Sequence, residues 1–128
     1  LIQIISRRSR YHDLWRDFIN GAYRLNVTND IIDEYEEILS AKATPHIAKL
    51  VCEIILRAPN TVMLDAHFRW GLIESDPDDN KFVDCAIVAN ANYIVSEDSH
   101  FNVLKHISFP HINVLKLSEF DELMSKNR

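Results

Sequence analysis

The sequence is poor in glycine, in cysteine and in long apolar runs, and each shortage excludes a class of protein. Only two glycines, Gly21 and Gly71, occur in 128 residues. A P-loop and a dinucleotide-binding fingerprint are therefore excluded, because each needs clustered glycines. Two cysteines, Cys52 and Cys85, are too few for a disulfide framework, and we interpret them as buried thiols of a reduced, cytoplasmic protein. No apolar run approaches the roughly 20 residues of a membrane helix.

The composition that remains is that of one α/β domain with an uneven charge distribution. A hydrophobic content of 47% is enough to build a core, and we expect a single domain over residues 1–128. The net charge of −5 argues against strong, non-specific binding of nucleic acid. Residues 1–24 nevertheless hold five arginines and two acids, a net of +3, which leaves −8 for the other residues.

Apolar periodicity predicts short strands that alternate with helices. Strands are expected at 24–28, 61–64, 93–95 and 112–115, and helical patterns at 10–22, 31–39, 45–58, 82–89 and 101–105. A final helix is expected after a capping box formed by Ser118 and Asp121. This alternation predicts an α/β fold, a three-layer α/β/α sandwich around a mostly parallel sheet.

Four polar residues are expected at the carboxyl ends of these strands, where parallel sheets bind ligands. Glu34 lies about one turn into the helix after the 24–28 strand, and Asp79 begins the helix after an acidic loop. Ser96 and Asp98 directly follow the 93–95 strand. Carboxylates that converge repel one another unless a cation lies between them, so the pattern predicts a metal site. Oxygen ligands favour Mg²⁺ or Mn²⁺ over zinc.

Each of these residues also has a structural interpretation. Glu34 lies in an acidic helix surface, Asp79 is placed to be a helix N-cap, and Asp98 is placed to be a turn residue. The six histidines show no zinc-binding spacing, and we interpret them as surface or core residues. His100 is the one histidine that we also consider as a neighbour of the site.

Several segments resemble the PIN domain family over essentially the whole chain. The segments 76–82, 86–89 and 93–98 are similar to the second half of a PIN domain, and 31–39 is similar to its glutamate-bearing helix. The subgroup that the chain resembles is that of predicted toxins from bacterial toxin–antitoxin pairs. The resemblance implies that Glu34, Asp79 and Asp98 are metal ligands and that Ser96 stands where the family usually has threonine.

The resemblance also implies an activity and partners. The expected function is a Mg²⁺- or Mn²⁺-dependent endoribonuclease that cuts single-stranded RNA, with a cognate antitoxin as partner and a homodimer as assembly. The family's first strand ends in Asp-Thr-Asn followed by an apolar pair, and Leu1-Ile2 resembles that pair. We therefore expect that the chain lacks its first strand and that the first metal-binding Asp precedes Leu1, or else that this member has lost that carboxylate.

Two other functions remain open at this point. The first is a catalytically inactive PIN-like module that binds RNA or protein, which the missing Asp favours. The second is a phosphate-accepting receiver domain, which has a similar size and an acidic pocket but needs a Lys-Pro pair. The sequence contains no Lys-Pro pair, and this disfavours the receiver domain.

Overall fold

The structure is a computed structural model that describes residues 11–65, 71–73, 79–107 and 111–128. The chain divides into two compact units, Leu1–Met63 and Leu64–Arg128. The segment Leu1-Ile2, and with it the expectation about the first strand, lies outside the described residues, as do three of the five arginines.

The first unit contains three helices and two short strands. In chain order these are α1 (His12–Ile19), β1 (Leu25–Val27), α2 (Asn29–Lys42), α3 (Pro45–Arg57) and β2 (Thr61–Met63). Strands β1 and β2 are parallel, with Asn26 opposite Val62. Helices α2 and α3 pack against each other. All five elements were expected from the apolar pattern of the sequence.

Helices α2 and α3 begin at threonine caps. The Thr28 hydroxyl accepts the N–H of Ile31 at 3.3 Å, and the Thr44 hydroxyl accepts the N–H of Ile47 at 3.1 Å. Pro45 follows Thr44 in the first turn, where its missing N–H costs no helical hydrogen bond. These local signals fix where the two helices start.

Asn60, the residue immediately before β2, is hydrogen-bonded to the segment around α1. The Asn60 side-chain amide donates to the carbonyls of Phe18 at 2.9 Å and Tyr23 at 2.8 Å. The Tyr23 hydroxyl donates to the carbonyl of Leu14 at 2.8 Å. Leu14 and Phe18 are fully buried, so these hydrogen bonds hold the α1 segment at the edge of a well-packed core.

The second unit repeats the alternation of helices and short parallel strands. Its elements are α4 (Asn80–Ala89), β3 (Ile94–Val95), a 3₁₀ helix (Ser99–His106), β4 (Val114–Leu115) and α5 (Leu117–Ser125). Strands β3 and β4 are parallel, with Ile94 opposite Val114. The core of the unit consists of buried apolar side chains from these elements and the preceding loop: Ile73, Val83, Ala86, Ile94, Phe101, Leu104 and Ile112.

The predicted capping box of the last helix is wrong in register. Helix α5 begins at Leu117, and the Glu119 carboxylate accepts the N–H of Lys116 at 2.8 Å. The carboxylate of Glu97, in the loop after β3, accepts the N–H of Leu117 at 2.9 Å. A side chain distant in sequence therefore satisfies a donor in the first turn of α5, and Ser118 is not needed as a cap.

Together, the two parallel strand pairs and their flanking helices confirm the predicted α/β fold class. Cys52 and Cys85 are buried free thiols, as expected. None of the helices in the described part of the chain is long and apolar enough to span a membrane.

Candidate metal centre

Asp79 occupies the N-cap position of α4, but its carboxylate does not cap the helix. Its Oδ2 atom lies 3.3 Å from Nδ1 of His100, and the side chain is only 16% exposed. The alternative that Asp79 serves merely as an N-cap is therefore wrong for the side chain. The carboxylate is directed at another segment of the same unit.

The neighbouring Asn80 fixes this end of α4 to the preceding loop. Its side-chain amide donates to the carbonyl of Ile73, and its side-chain oxygen accepts the N–H of the same residue, both at 2.9 Å. Ile73 is 1% exposed and belongs to the core. The two hydrogen bonds therefore anchor the residue next to Asp79 to a buried residue.

Asp98 lies in a tight turn between β3 and the 3₁₀ helix. The Ser96 hydroxyl accepts the backbone N–H of Asp98 at 3.0 Å, and the Asp98 Oδ1 atom accepts the backbone N–H of His100 at 2.9 Å. Asp98 is thus the turn residue that the sequence suggested, and it caps the 3₁₀ helix. The same Oδ1 atom also lies 3.1 Å from Nδ1 of His100.

His100 brings the two carboxylates to one point. One ligand atom each from Asp79, Asp98 and His100 lies within 4.8 Å of the other two. His100, the one histidine considered as a neighbour of the site, therefore lies beside both carboxylates, and its ring nitrogen accompanies the expected oxygen donors. The sequence signal for His100 is that it follows Asp98 by two positions. A residue whose N–H is capped in the first turn of a helix lies close to the capping side chain.

The three donor atoms fit a divalent cation. Octahedral Mg²⁺ has bonds of roughly 2.1 Å, so adjacent ligand atoms are about 3.0 Å apart. The distances from His100 Nδ1 to the oxygens of Asp98 and Asp79 are 3.1 and 3.3 Å, close to that separation. The ligand oxygens of the two carboxylates lie within 4.8 Å of each other, so the charges repel, and a cation between them removes the repulsion. The chemistry and the spacing of the donors both suit a metal ion.

The other two predicted site residues have different positions. The hydroxyl oxygen of Ser96 accepts the N–H of Asp98, so its described contact orients the turn that carries Asp98. Glu34 is half-buried on α2 in the first unit, whereas Asp79 and Asp98 belong to the second. Its assignment as a metal ligand stays a prediction.

Comparison with protein families gives one match. A family model described as PIN domain matches residues 1–100, a range that includes Glu34, Asp79, Asp98 and His100. Neither the curated proteins nor the solved structures give a significant match. The match covers well over half of the chain and includes both carboxylates of the candidate centre. The chain therefore belongs to the PIN domain family.

Proposed function

We propose that this protein is a Mg²⁺- or Mn²⁺-dependent endoribonuclease that cuts single-stranded RNA. PIN domains are typically nucleases that use divalent metal ions. The observation that carries the proposal is the cluster formed by Asp79, Asp98 and His100, whose ligand atoms lie within 4.8 Å of one another. Asp79 and Asp98 are the residues of this cluster that would hold the ion.

The chemistry of the proposed site follows from its charges. When bound, a divalent cation would neutralise charge on the scissile phosphodiester and activate a water molecule for attack. Asp79 and Asp98 would hold that cation, and one of these carboxylates would accept the proton of the attacking water. Ser96 keeps Asp98 in place through the hydrogen bond to its backbone N–H. The preference for single-stranded RNA comes from the family resemblance.

The biological setting that we propose is that of a toxin in a toxin–antitoxin pair. The resemblance of segments 76–82 and 93–98 to that subgroup supports it, and it implies a cognate antitoxin, a homodimer and action in the cytoplasm. Arg16 is an exposed basic residue of α1 that lies 4.0 Å from Asp13. Together with the arginines before residue 11, it supplies positive charge for RNA or for an acidic antitoxin segment.

The decisive experiment measures cleavage of labelled single-stranded and duplex RNA by the full-length protein with Mg²⁺ or Mn²⁺. We expect the single strand to be cut, the duplex to be largely spared, and EDTA to stop the reaction. Asp79→Asn and Asp98→Asn should each lower the rate by at least about 100-fold, because groups that merely orient a metal ligand already contribute 10- to 100-fold. Glu122→Gln, which removes an exposed charge from the same unit, is the matched control.

Two results would contradict the proposal. Cleavage that persists in EDTA excludes a metal-dependent nuclease. Binding of RNA without cleavage, at any metal concentration, supports the inactive PIN-like binding module instead.

Glu34 is tested separately because it belongs to the first unit. We propose that it contributes to the same activity, on the basis of the family resemblance. Glu34→Gln should then weaken Mn²⁺ binding in calorimetry, whereas Glu37→Gln, an exposed acid on the same helix, should leave it unchanged.

A further inference from the structure

The candidate centre contains a nitrogen donor, and this has consequences for the choice of metal. We propose that His100 is a direct ligand of the cation through Nδ1 and that it makes the site selective for Mn²⁺ over Mg²⁺. This inference rests on the proposed function, since it concerns the metal of the same site. His100 is not among the metal ligands that the family resemblance implies.

The position of the His100 ring relative to the two acids supports direct ligation. Nδ1 lies 3.1 Å from an oxygen of Asp98 and 3.3 Å from an oxygen of Asp79, so it is nearly equidistant from both. The two acids come from different elements, the start of α4 and the turn after β3. One ring nitrogen therefore faces the point at which both carboxylates converge.

The backbone holds the ring in this position. The N–H of His100 donates to the Asp98 carboxylate at 2.9 Å, which fixes the first turn of the 3₁₀ helix. The next residue, Phe101, is 4% exposed, and Leu104 is 1% exposed, so the helix is anchored in the core of the unit. The imidazole is thus carried by a segment that is anchored in the core of the unit.

A ligand set of two carboxylates and one imidazole discriminates between the two candidate ions. Mg²⁺ is a hard cation that prefers oxygen ligands and retains several waters. Imidazole nitrogen suits transition metals better than it suits Mg²⁺, so we expect the His100 nitrogen to favour Mn²⁺ over Mg²⁺. A His100→Asp variant has three carboxylates and should accept Mg²⁺ more readily.

The competing explanation is that His100 only pairs with the carboxylates when no metal is bound. In that case the ring would leave the site on metal binding, and the ion would have oxygen ligands alone. Pulsed electron paramagnetic resonance of bound Mn²⁺ separates the two cases, because a directly bound imidazole gives a ¹⁴N coupling.

The experiment titrates Mn²⁺ into the metal-free, full-length protein and records the pulsed spectrum. We expect a ¹⁴N coupling in the wild type that disappears in His100→Gln and persists in His106→Gln, which changes an exposed histidine of the same 3₁₀ helix. Calorimetry with Mn²⁺ and Mg²⁺ gives the selectivity. His100→Asp should lower the ratio of Mn²⁺ to Mg²⁺ affinity by at least about tenfold, the size seen when a group that orients a metal ligand is removed.

The outcomes distinguish this inference from the proposed function. Bound Mn²⁺ with no ¹⁴N coupling in the wild type, but with affinity that depends on Asp79, overturns the role of His100 and leaves the nuclease proposal intact. A coupling that survives in His100→Gln also overturns it. Mn²⁺ affinity that is unchanged in both Asp79→Asn and Asp98→Asn overturns the metal centre itself.

Discussion

The hydrogen bonds between Asn80 and Ile73 allow a prediction whose magnitude follows from the structure. Asn80→Ala removes one donor and one acceptor, each 2.9 Å from its partner on the Ile73 backbone. A neutral hydrogen bond contributes about 1 kcal/mol, and a buried polar group left without a partner costs about 1–3 kcal/mol. Ile73 is 1% exposed, so water has little access to its peptide. We expect the free energy of unfolding to fall by about 2–3 kcal/mol.

The same substitution should also weaken metal binding, because Asn80 anchors the residue next to Asp79. Urea denaturation, with an unchanged dependence on urea concentration, measures the loss of stability. Calorimetry with Mn²⁺ under conditions where the variant is folded measures the effect on the site. Asn102→Ala, which truncates an exposed asparagine of the 3₁₀ helix, is the control and should change stability by less than about 0.5 kcal/mol. An Asn80→Ala variant as stable as Asn102→Ala would refute the reasoning.

Two further predictions concern stability alone. Asn60→Ala should lower the free energy of unfolding by about 2 kcal/mol, since it removes the hydrogen bonds to the carbonyls of Phe18 and Tyr23; a change below about 0.5 kcal/mol in urea denaturation would contradict this. Burial raises the pKa of Cys85 from 9.0 to about 11, so the folded state favours the protonated thiol. The stabilisation of the folded state that comes from the protonated thiol is fully present below about pH 9. It is lost as the pH rises towards 11, which lowers the free energy of unfolding by up to about 3 kcal/mol. Cys85→Ala should flatten this decline in unfolding free energy, and an unchanged pH dependence would argue against it.

Local sequence patterns were sufficient for the elements of both units. The apolar repeats at 31–39 and 45–58 predicted two helices, which the structure begins at Thr28 and Thr44 caps, because a cap acts on the N–H groups of its own first turn. Runs such as 61–64 and 93–95 predicted short strands for the same local reason. The sequence alone also showed the family resemblance. It also showed that Asp79 follows the acidic loop and that Asp98 follows β3.

Contacts between segments distant in the sequence could not be predicted from local sequence patterns. The buried residues of helix α4 include the charged Asp84, because the face that the helix turns to the core depends on what packs there. The start of α5 depends on Glu97, whose carboxylate accepts the N–H of Leu117, 20 positions later in the chain.

In the candidate site too, some features follow from local sequence and others only from tertiary packing. The sequence by itself determined the α/β class, most element positions and the two carboxylates, since periodicity, capping and strand ends are properties of neighbouring residues. Only the tertiary structure decided that His100 faces Asp79, 21 residues away, and that Asn80 holds the buried peptide of Ile73. Val83 of α4 and Phe101 and Leu104 of the 3₁₀ helix belong to one buried core, and no local pattern specifies which segments such a core brings together.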